Sequence, residues 1–267
     1  MAAESVTIVT AFFDIGRGDW VGYANGTPIA PYIQRSTETY LERFKALTKL
    51  DNKIIVFTES KFSDIIKEMR DDIIIVEYDE IFSENYNLME ELHRIMRNRD
   101  FIKLIDSPAS PEYWSPKYVL INFYKSLFVE YVINNNIDDA NTLAWIDFGY
   151  VRDDTRFVPG TTWKFDTNNK INLFNIRPLD DRPIFDIVMS GDVYIQGCHI
   201  VSHREGWSHL RGLMLDSLSV LTRVGMIDDD QTMLLMSFRT APHLFSINYI
   251  DPNKDGWFVI FKDFNHA

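Results

Sequence analysis

The sequence predicts an α/β fold, built from a mixed, mainly parallel β-sheet flanked by helices. Apolar runs rich in Val and Ile recur in the first half of the chain, as in strands that are buried on both faces of a sheet. Between them lie segments whose apolar residues repeat at the helical period. The chain has 267 residues, of which 46% are hydrophobic, so a sizeable core can form.

Four strands alternate with helices in the first half. The strand candidates are the apolar runs SVTIVTAFF, NKIIVFTE, DDIIIVEYD and TLAWIDF, at residues 5–13, 52–59, 71–79 and 142–148. The helix candidates, the last of which begins with a Ser-Pro pair, cover residues 31–47, 61–70, 85–105 and 115–135. This alternation favours parallel pairing in a sheet that is covered on both faces. We interpret residues 1–150 as a nucleotide-binding half.

Shorter strands and two further helices predict a mixed second half. The strands fall at residues 171–176, 193–202, 243–250 and 256–261. The helices fall at residues 205–225 and 229–238. No linker composition separates the two halves. We therefore expect one domain over residues 1–267, in which residues 151–267 build the rest of the site.

Bulk composition argues against several classes of protein. The net charge of −12 and the pI near 4.9 disfavour a nucleic-acid-binding protein, which would present positive charge to phosphates. The single cysteine, Cys198, rules out an internal disulfide. The N-terminal segment lacks a basic stretch followed by an apolar one, and no run of about 20 apolar residues occurs. We therefore expect a cytoplasmic protein, with peripheral contact at a membrane left open.

The loop after the first strand, TAFFDIGRGDW at residues 10–20, holds a first group of candidate binding residues. In open parallel sheets, ligands bind beyond the carboxyl ends of the strands. The glycines of this loop allow a close backbone approach, and Arg17 offers a planar fork for phosphate or carboxylate. The alternative is an ordinary loop in which Arg17 pairs with Asp14 or Asp19.

A carboxylate at the end of the fourth strand needs a positive partner. Asp147 follows the apolar run LAWI, and a buried charge is costly unless something positive meets it. One solution is a divalent ion such as Mg²⁺ or Mn²⁺, which takes carboxylates and leaves positions for diphosphate oxygens. Other solutions are neutralisation by Arg152, Arg156 or Lys125, or a carboxylate that caps a turn through backbone N–H groups.

A run of three acids, Asp228 to Asp230, precedes a predicted helix. Acids at this place commonly cap the helix and complement its dipole. Three in a row exceed what a cap needs, so one of them could be a general base for an acceptor hydroxyl. His199 and His203 are a weaker candidate pair for zinc, because no third ligand clusters with them in the sequence.

Four stretches together resemble a known family. VTIVTAFFDIGRGDW, WIDFGYVR, YIQGCHIVSHREGW and DDQTMLL are similar to segments of the HtrL/YibB family, also called the WlaTC/HtrL glycosyltransferases, and the resemblance runs from about Val6 to Phe261. It implies a GT-A type fold that transfers a hexose, such as galactose, from a nucleotide-sugar donor, with a UDP-sugar expected. The implied acceptor is a glycan or lipid-linked glycan of bacterial surface polysaccharide or lipooligosaccharide synthesis, with peripheral contact at the inner membrane.

The resemblance also implies roles for individual residues. Those expected to hold the donor are Thr10, Ala11, Phe12, Asp14, Arg17, Lys125, Asp147 and Gly149. GT-A enzymes generally carry an Asp-x-Asp signature that holds Mn²⁺ or Mg²⁺. The matching residues here are Asp147, Phe148 and Gly149, so a glycine replaces the second aspartate and the need for a metal is open. Asp147 with a late histidine, His243 or His266, would supply the metal ligands. Asp229 or Asp230 would deprotonate the acceptor in an inverting transferase.

Two other functions remain compatible with the sequence. One is another kind of nucleotide-using enzyme on the same fold, since a fold alone does not determine an activity. The other is a non-catalytic nucleotide- or carbohydrate-binding protein, which the incomplete Asp-x-Asp pattern favours. The oligomeric state is left open.

Overall fold

A seven-stranded β-sheet lies at the centre of the structure, which is a computed structural model that describes residues 3–152, 157–251, 253 and 257–263. Two smaller pairs of strands lie outside this sheet. The strands are β1 (Glu4–Ser5), β2 (Thr7–Phe12), β3 (Tyr23–Ala24), β4 (Thr27–Pro28), β5 (Ile54–Thr58), β6 (Ile74–Glu77), β7 (Thr142–Ile146), β8 (Lys164–Phe165), β9 (Ile171–Asn175), β10 (His199–His203) and β11 (Phe245–Tyr249).

Helices connect the strands and cover the sheet. They are α1 (Thr37–Leu47), α2 (Ser63–Lys67), α3 (Ile81–Glu84), α4 (Tyr86–Met96), α5 (Arg99–Ile102), α6 (Pro116–Phe123), α7 (Lys125–Asn134), α8 (Ile184–Ser190), α9 (Arg204–Arg223), α10 (Asp230–Thr240) and α11 (Ile260–Asp263). Within the described ranges, no helix combines the length and the apolarity that a bilayer crossing requires.

The strand order of the large sheet is β11–β9–β10–β7–β2–β5–β6, and six of the seven strands run in the same direction. The reversed strand is β10, which pairs antiparallel with both β7 and β9. Its amino end therefore meets the carboxyl end of β7, with His199 opposite Ile146. We name this side of the sheet, where β2, β5, β7 and β9 end, the carboxyl edge.

Both faces of the sheet are buried. Successive residues of a strand enter two different apolar clusters, as Ile8 and Val9 do on β2. Helices α4, α6, α7, α9 and α10 cover one face. On the other face, α1 packs together with Trp163 and Ile260. The mixed, mainly parallel sheet flanked by helices that the sequence predicts is thereby confirmed.

Several predicted helices are shorter in the structure. The helix predicted over residues 85–105 is divided into α4 and α5, because Asn98 caps α5 by accepting from the backbone N of Asp100. The helix predicted over residues 115–135 is interrupted at Tyr124, between α6 and α7. Apolar spacing continues across such short breaks, so periodicity alone does not reveal them.

Two predicted strands are wrong in part. Residues 256–261 are apolar, but Ile260 begins the short helix α11. A short, fully buried apolar run suits a helix as well as a strand, so the pattern does not decide between them. The strand predicted over residues 193–202 begins only at His199. The strand predicted over residues 142–148 is β7, which ends at Ile146 and leaves Asp147 just beyond the sheet.

Candidate functional site

A cleft of about 250 Å³ opens at the carboxyl edge of the sheet. Its lining comes from parts of the chain that are far apart in sequence: the loop after β2, the α6–α7 segment, the loop after β7, the residues before β10 and the start of α10. Arginines and carboxyl groups both line this space. The fold therefore gathers opposite charges at the place where open parallel sheets bind ligands.

Asp147 meets Lys125 inside the cleft. Its Oδ1 lies 3.1 Å from Lys125 Nζ and accepts a hydrogen bond from Trp145 Nε1 at 2.8 Å. Lys125, one of the three cations that the sequence left as alternatives, thus pairs with this carboxylate. Arg152 lies over an aromatic ring instead, and Arg156 lies outside the described residues.

Lys125 is a buried cation that three oxygens share. Besides Asp147, its Nζ lies 2.8 Å from Asp230 Oδ2 and donates to Gly197 O at 2.9 Å. The side chain is 5% exposed. Burial on its own would lower the pKa of Lys125, but the charges of Asp147 and Asp230 together raise it. Lys125 therefore stays an ammonium ion at neutral pH.

The acidic run before α10 is buried and partly serves as a helix cap. Asp229 is the cap residue, since its Oδ1 accepts from the backbone N of Gln231 at 2.9 Å. Asp228 accepts from Thr232 Oγ1 at 2.7 Å. Asp230, the first residue of α10, aims its carboxylate at the buried lysine. The capping role accounts for one acid and leaves the other two to be explained.

Burial raises the pKa of all three acids, and repulsion from its two neighbours raises that of Asp229 further. Glu112 lies in the turn before α6 and adds a fourth carboxyl, whose pKa is raised by burial and by the charge of Asp228. We name Glu112, Asp228, Asp229 and Asp230 the carboxyl cluster. Carboxyl groups perturbed in this way at a cleft are candidate acids and bases.

Four arginines gather at the same cleft. Arg17, Arg35 and Arg152 line it, and Arg43 lies just beyond Gly149. Burial and the charges of Arg35 and Arg43 lower the pKa of Arg152 to about 10, and burial and Arg35 lower that of Arg43. We name these four residues the arginine cluster. Their mutual repulsion makes the region attractive for an anion.

Arg17 is held in a fixed position by its loop. Its Nε donates to Ile33 O at 2.7 Å and its Nη1 donates to Tyr40 Oη at 2.9 Å. The guanidinium also lies over the rings of Trp20 and Tyr118, and the second of these lines the cleft. The alternative in which Arg17 pairs with Asp14 or Asp19 is wrong, because no such ion pair forms between these described residues.

This chain matches one known family over almost its whole length. A family model described as "Bacterial protein of unknown function (HtrL_YibB)" matches residues 4–266. The chain belongs to the HtrL_YibB family. Protein HtrL of Escherichia coli (strain K12) is 31% identical over 273 residues, which cover 98% of this chain and 93% of that protein. The resemblance seen in the sequence is confirmed, and the family description assigns no activity.

Two solved structures are similar to this HtrL_YibB chain at low scores. Mouse xyloside xylosyltransferase 1, in its apo form, gives a TM-score of 0.42 at 12% identity over 91% of this chain and 84% of that one. The glycosyltransferase GlyE of Streptococcus pneumoniae TIGR4 gives 0.40 at 12% identity over 92% of this chain, which spans only 46% of GlyE. Likenesses this weak carry no conclusion about activity, and the α/β class follows from the strand order itself.

The HtrL_YibB chain brings most of the predicted site residues together. Those that line the cleft are Ala11, Phe12, Asp14, Arg17, Lys125, Asp147, Gly149, Asp229 and Asp230. Thr10 does not line it, because this residue is fully buried within β2. A role for Thr10 in direct donor contact is therefore not supported by its position.

The histidines that the structure describes do not assemble a metal site. His243 lies just before β11, at the edge of the sheet opposite the carboxyl edge, because β11 runs parallel to β9. The predicted pairing of His243 with Asp147 is therefore wrong, and His266 lies outside the described residues. His199 and His203 lie at opposite ends of β10 and cannot share a zinc ion. In the described ranges, no three His, Cys, Asp or Glu residues could hold a metal ion.

Sequence reasoning missed several charged residues at the site. Glu112 precedes a predicted helix in a proline-containing loop, and Arg35 and Arg43 lie in or near α1. An arginine on a helix normally indicates a solvated surface, and no spacing connects these three positions to the strand ends. They converge only through tertiary packing, so a single sequence carries no signal for them.

Proposed function

We propose that this chain is a glycosyltransferase that moves a hexose from a nucleotide-sugar donor to a hydroxyl of a glycan acceptor. One observation carries the proposal: members of the arginine cluster and of the carboxyl cluster line one cleft at the carboxyl edge of the sheet. Displacement at a sugar carbon needs cations for the departing diphosphate and a base for the incoming hydroxyl. The cleft supplies both kinds of group.

The loop after β2 supports binding of the nucleotide. Ala11, Phe12 and Asp14 line the cleft beside Arg17. Two hydrogen bonds fix the Arg17 guanidinium before any ligand arrives, which reduces the entropy lost when it binds an anion. We propose a UDP-sugar as the donor, with its diphosphate at the arginine cluster and its base among the aromatic rings of the cleft.

Asp229 is the best candidate for the base. Asp230 is paired with Lys125, and Asp228 is engaged by a threonine hydroxyl. Asp229 lines the cleft, and its carboxyl pKa is raised by burial and by the adjacent acids, which strengthens it as a proton acceptor. As the acceptor oxygen bonds to the sugar carbon, its proton passes to Asp229 and the bond to the diphosphate breaks. This single displacement inverts the anomeric centre.

Exposed aromatic rings support a glycan as the acceptor. Tyr23 and Tyr32 are each 75% exposed, and both lie in the segment between Arg17 and Arg35, which line the cleft. Such rings offer an apolar face to a sugar. Following the family resemblance, we place the acceptor among glycans or lipid-linked glycans of bacterial surface polysaccharide or lipooligosaccharide synthesis. The reaction would then occur in the cytoplasm, with peripheral contact at the inner membrane.

Calorimetry and a transfer assay test the proposal together. UDP-, GDP- and CDP-sugars are titrated into the protein, and release of nucleoside diphosphate is followed with and without glycan acceptors. We expect a UDP-sugar to bind and to release UDP only when an acceptor hydroxyl is present. Release with water alone would indicate another nucleotide-using enzyme, and tight binding without turnover would indicate a non-catalytic binding protein. Either result would overturn the proposal.

A further inference from the structure

We infer that the ammonium of Lys125 takes the place of a divalent cation in this cleft, and that the arginine cluster binds the donor's diphosphate, so that transfer proceeds without a metal ion. The identity of the diphosphate rests on the proposed function. The role of Lys125 follows from contacts between described residues alone.

The oxygens that would hold a cation already hold Lys125. Asp147 Oδ1, Asp230 Oδ2 and Gly197 O lie 3.1, 2.8 and 2.9 Å from its Nζ. A Mg²⁺ ion would need oxygens at about 2.0–2.1 Å in a nearly octahedral arrangement. It would also be repelled by the ammonium that lies between these carboxylates. The residues present therefore do not fit the metal of the Asp-x-Asp signature.

The second carboxylate of that signature has no room in this fold. A Cβ atom built on Gly149 would lie 2.9 Å from Tyr40 Cδ1 and 3.6 Å from Arg43 Cδ. The Tyr40 ring is tied to the cleft, because its hydroxyl accepts a hydrogen bond from Arg17. An aspartate at position 149 would displace the ring and disturb the two arginines. Gly149 therefore leaves the arginine cluster undisturbed, whereas a metal-binding aspartate at this position would disrupt it.

The arginine cluster lacks carboxylate partners within the part of the chain that the structure describes. None of its four members forms an ion pair there with an acid, and Arg43 Nη1 is buried without a hydrogen-bond partner among the described residues. Such grouped guanidiniums are unusual in a chain of net charge −12. A diphosphate would relieve their repulsion through charge-assisted, bidentate hydrogen bonds.

The arginine cluster and Lys125 have different roles in the transfer step. When the bond between the sugar carbon and the diphosphate oxygen breaks, the electron pair stays on that oxygen. The guanidiniums stabilise this added charge. Lys125 is a positioning residue, whose ammonium holds the carboxylates of Asp147 and Asp230 in place beside the reacting groups.

Titration with Mn²⁺ alone, followed by electron paramagnetic resonance and calorimetry, tests the role of Lys125 without any turnover. We expect the wild-type protein to show no binding at micromolar Mn²⁺. The variant Lys125→Ala frees two carboxylates and is expected to gain a Mn²⁺ site, which a second change, Asp147→Asn, removes. Micromolar binding of Mn²⁺ to the wild-type protein that Asp147→Asn abolishes would overturn the inference and leave the proposed function standing.

Titration with UDP in the presence of EDTA tests the arginine cluster. We expect the chelator to leave the Kd unchanged and Arg35→Gln to weaken binding about tenfold or more. Arg94→Gln, at an exposed position of α4, is the control and should bind UDP normally. Loss of UDP binding on addition of EDTA, or normal affinity in Arg35→Gln, would overturn the inference. Failure of UDP to bind under any condition would instead remove the proposed function, while the Mn²⁺ titration still decides the role of Lys125.

Discussion

The carboxylate of Asp230 fills the space that a side chain at Gly197 would occupy. A Cβ atom built on Gly197 would lie 2.2 Å from Asp230 Oδ2, far inside van der Waals contact. The absence of a side chain lets the acid approach the backbone and reach Lys125 from the start of α10. The ion pair inside the cleft therefore depends on a glycine in the segment before β10.

We expect Gly197→Ala to lower the free energy of unfolding by about 1 to 3 kcal/mol, because the added methyl group forces Asp230 away from its partner. Urea denaturation measures the change. The matched control is Gly212→Ala in α9, where a Cβ atom meets nothing within 4 Å. That variant should gain about 0.5 to 1 kcal/mol, as alanine favours a helix interior. Equal effects at the two sites would show that the contact with Asp230 is unimportant.

Asp229→Asn separates charge from capping, because asparagine caps a helix as well as aspartate does. We expect turnover to fall about 100- to 10,000-fold, the range that loss of a general base produces. The free energy of unfolding at neutral pH should stay the same or rise, since a buried acid with a raised pKa is removed. Steady-state kinetics and urea denaturation measure the two quantities.

The control for Asp229→Asn is Asp216→Asn, at an exposed position of α9. This substitution should alter neither turnover nor stability measurably. Near-normal turnover in Asp229→Asn would exclude Asp229 as the base. A fall in turnover accompanied by a fall in the free energy of unfolding would indicate a purely structural role.

Glu112 should make stability depend on pH. Its pKa in the folded protein is raised by burial and by Asp228, above an unfolded value of about 4.3. Its favourable contribution is therefore complete below the unfolded value and is lost as the pH rises through the folded pKa. We expect Glu112→Gln to be more stable than the wild-type protein by about 1 to 3 kcal/mol at pH 8, with a smaller gain at pH 5.

Urea denaturation across this pH range measures the effect of Glu112→Gln. Glu90→Gln, at an exposed position of α4, is the control and should follow the wild-type profile. A gain in Glu112→Gln that does not change between pH 5 and pH 8 would mean that its carboxyl group keeps an ordinary pKa.

Local rules predicted the position of Asp147 but not its partner. The apolar run before it predicted a strand end, and the penalty for burying a charge required a cation there. Three chain cations and a metal ion satisfied that requirement equally well. The choice of Lys125 depends on how α7 packs beside β7, which is a tertiary relationship that no local pattern contains.

In the second half of the chain, local patterns predicted where strands lie but not which strands pair. The strand at β11 was predicted, but its partner in the sheet was not, and pairing with β9 is what carries His243 to the far edge. Strand order depends on long-range packing, whereas strand existence depends on local patterning. For the same reason the acids at the start of α10 were predicted from their adjacency in the sequence. Glu112 was not predicted, because it lies in the turn before α6 and meets them only in the folded chain.

Replacing Lys125 by methionine should destabilise the protein in a pH-dependent manner. Burial alone would lower the pKa of Lys125, but the charges of Asp147 and Asp230 outweigh it and raise this pKa. The contribution of the lysine is therefore fully present at neutral pH and is lost only above about pH 10. Without this cation, the carboxylates of Asp147 and Asp230 face each other without a compensating charge, and their repulsion favours the uptake of a proton. We expect Lys125→Met to lower the free energy of unfolding by about 3 to 5 kcal/mol at pH 8 and by less at pH 5, where the pair can take up a proton.

Urea denaturation at the two pH values measures the effect of Lys125→Met, and Lys117→Met is its matched control. Lys117 is exposed on α6, where its ammonium lies 4.7 Å from the centre of the Phe82 ring and forms no ion pair with an acid among the described residues. Its removal should change stability by less than about 1 kcal/mol at either pH. If Lys125→Met lost the same free energy at pH 5 and pH 8, the lysine would act through packing of its stem, and its ammonium would not be the partner that compensates the two carboxylates.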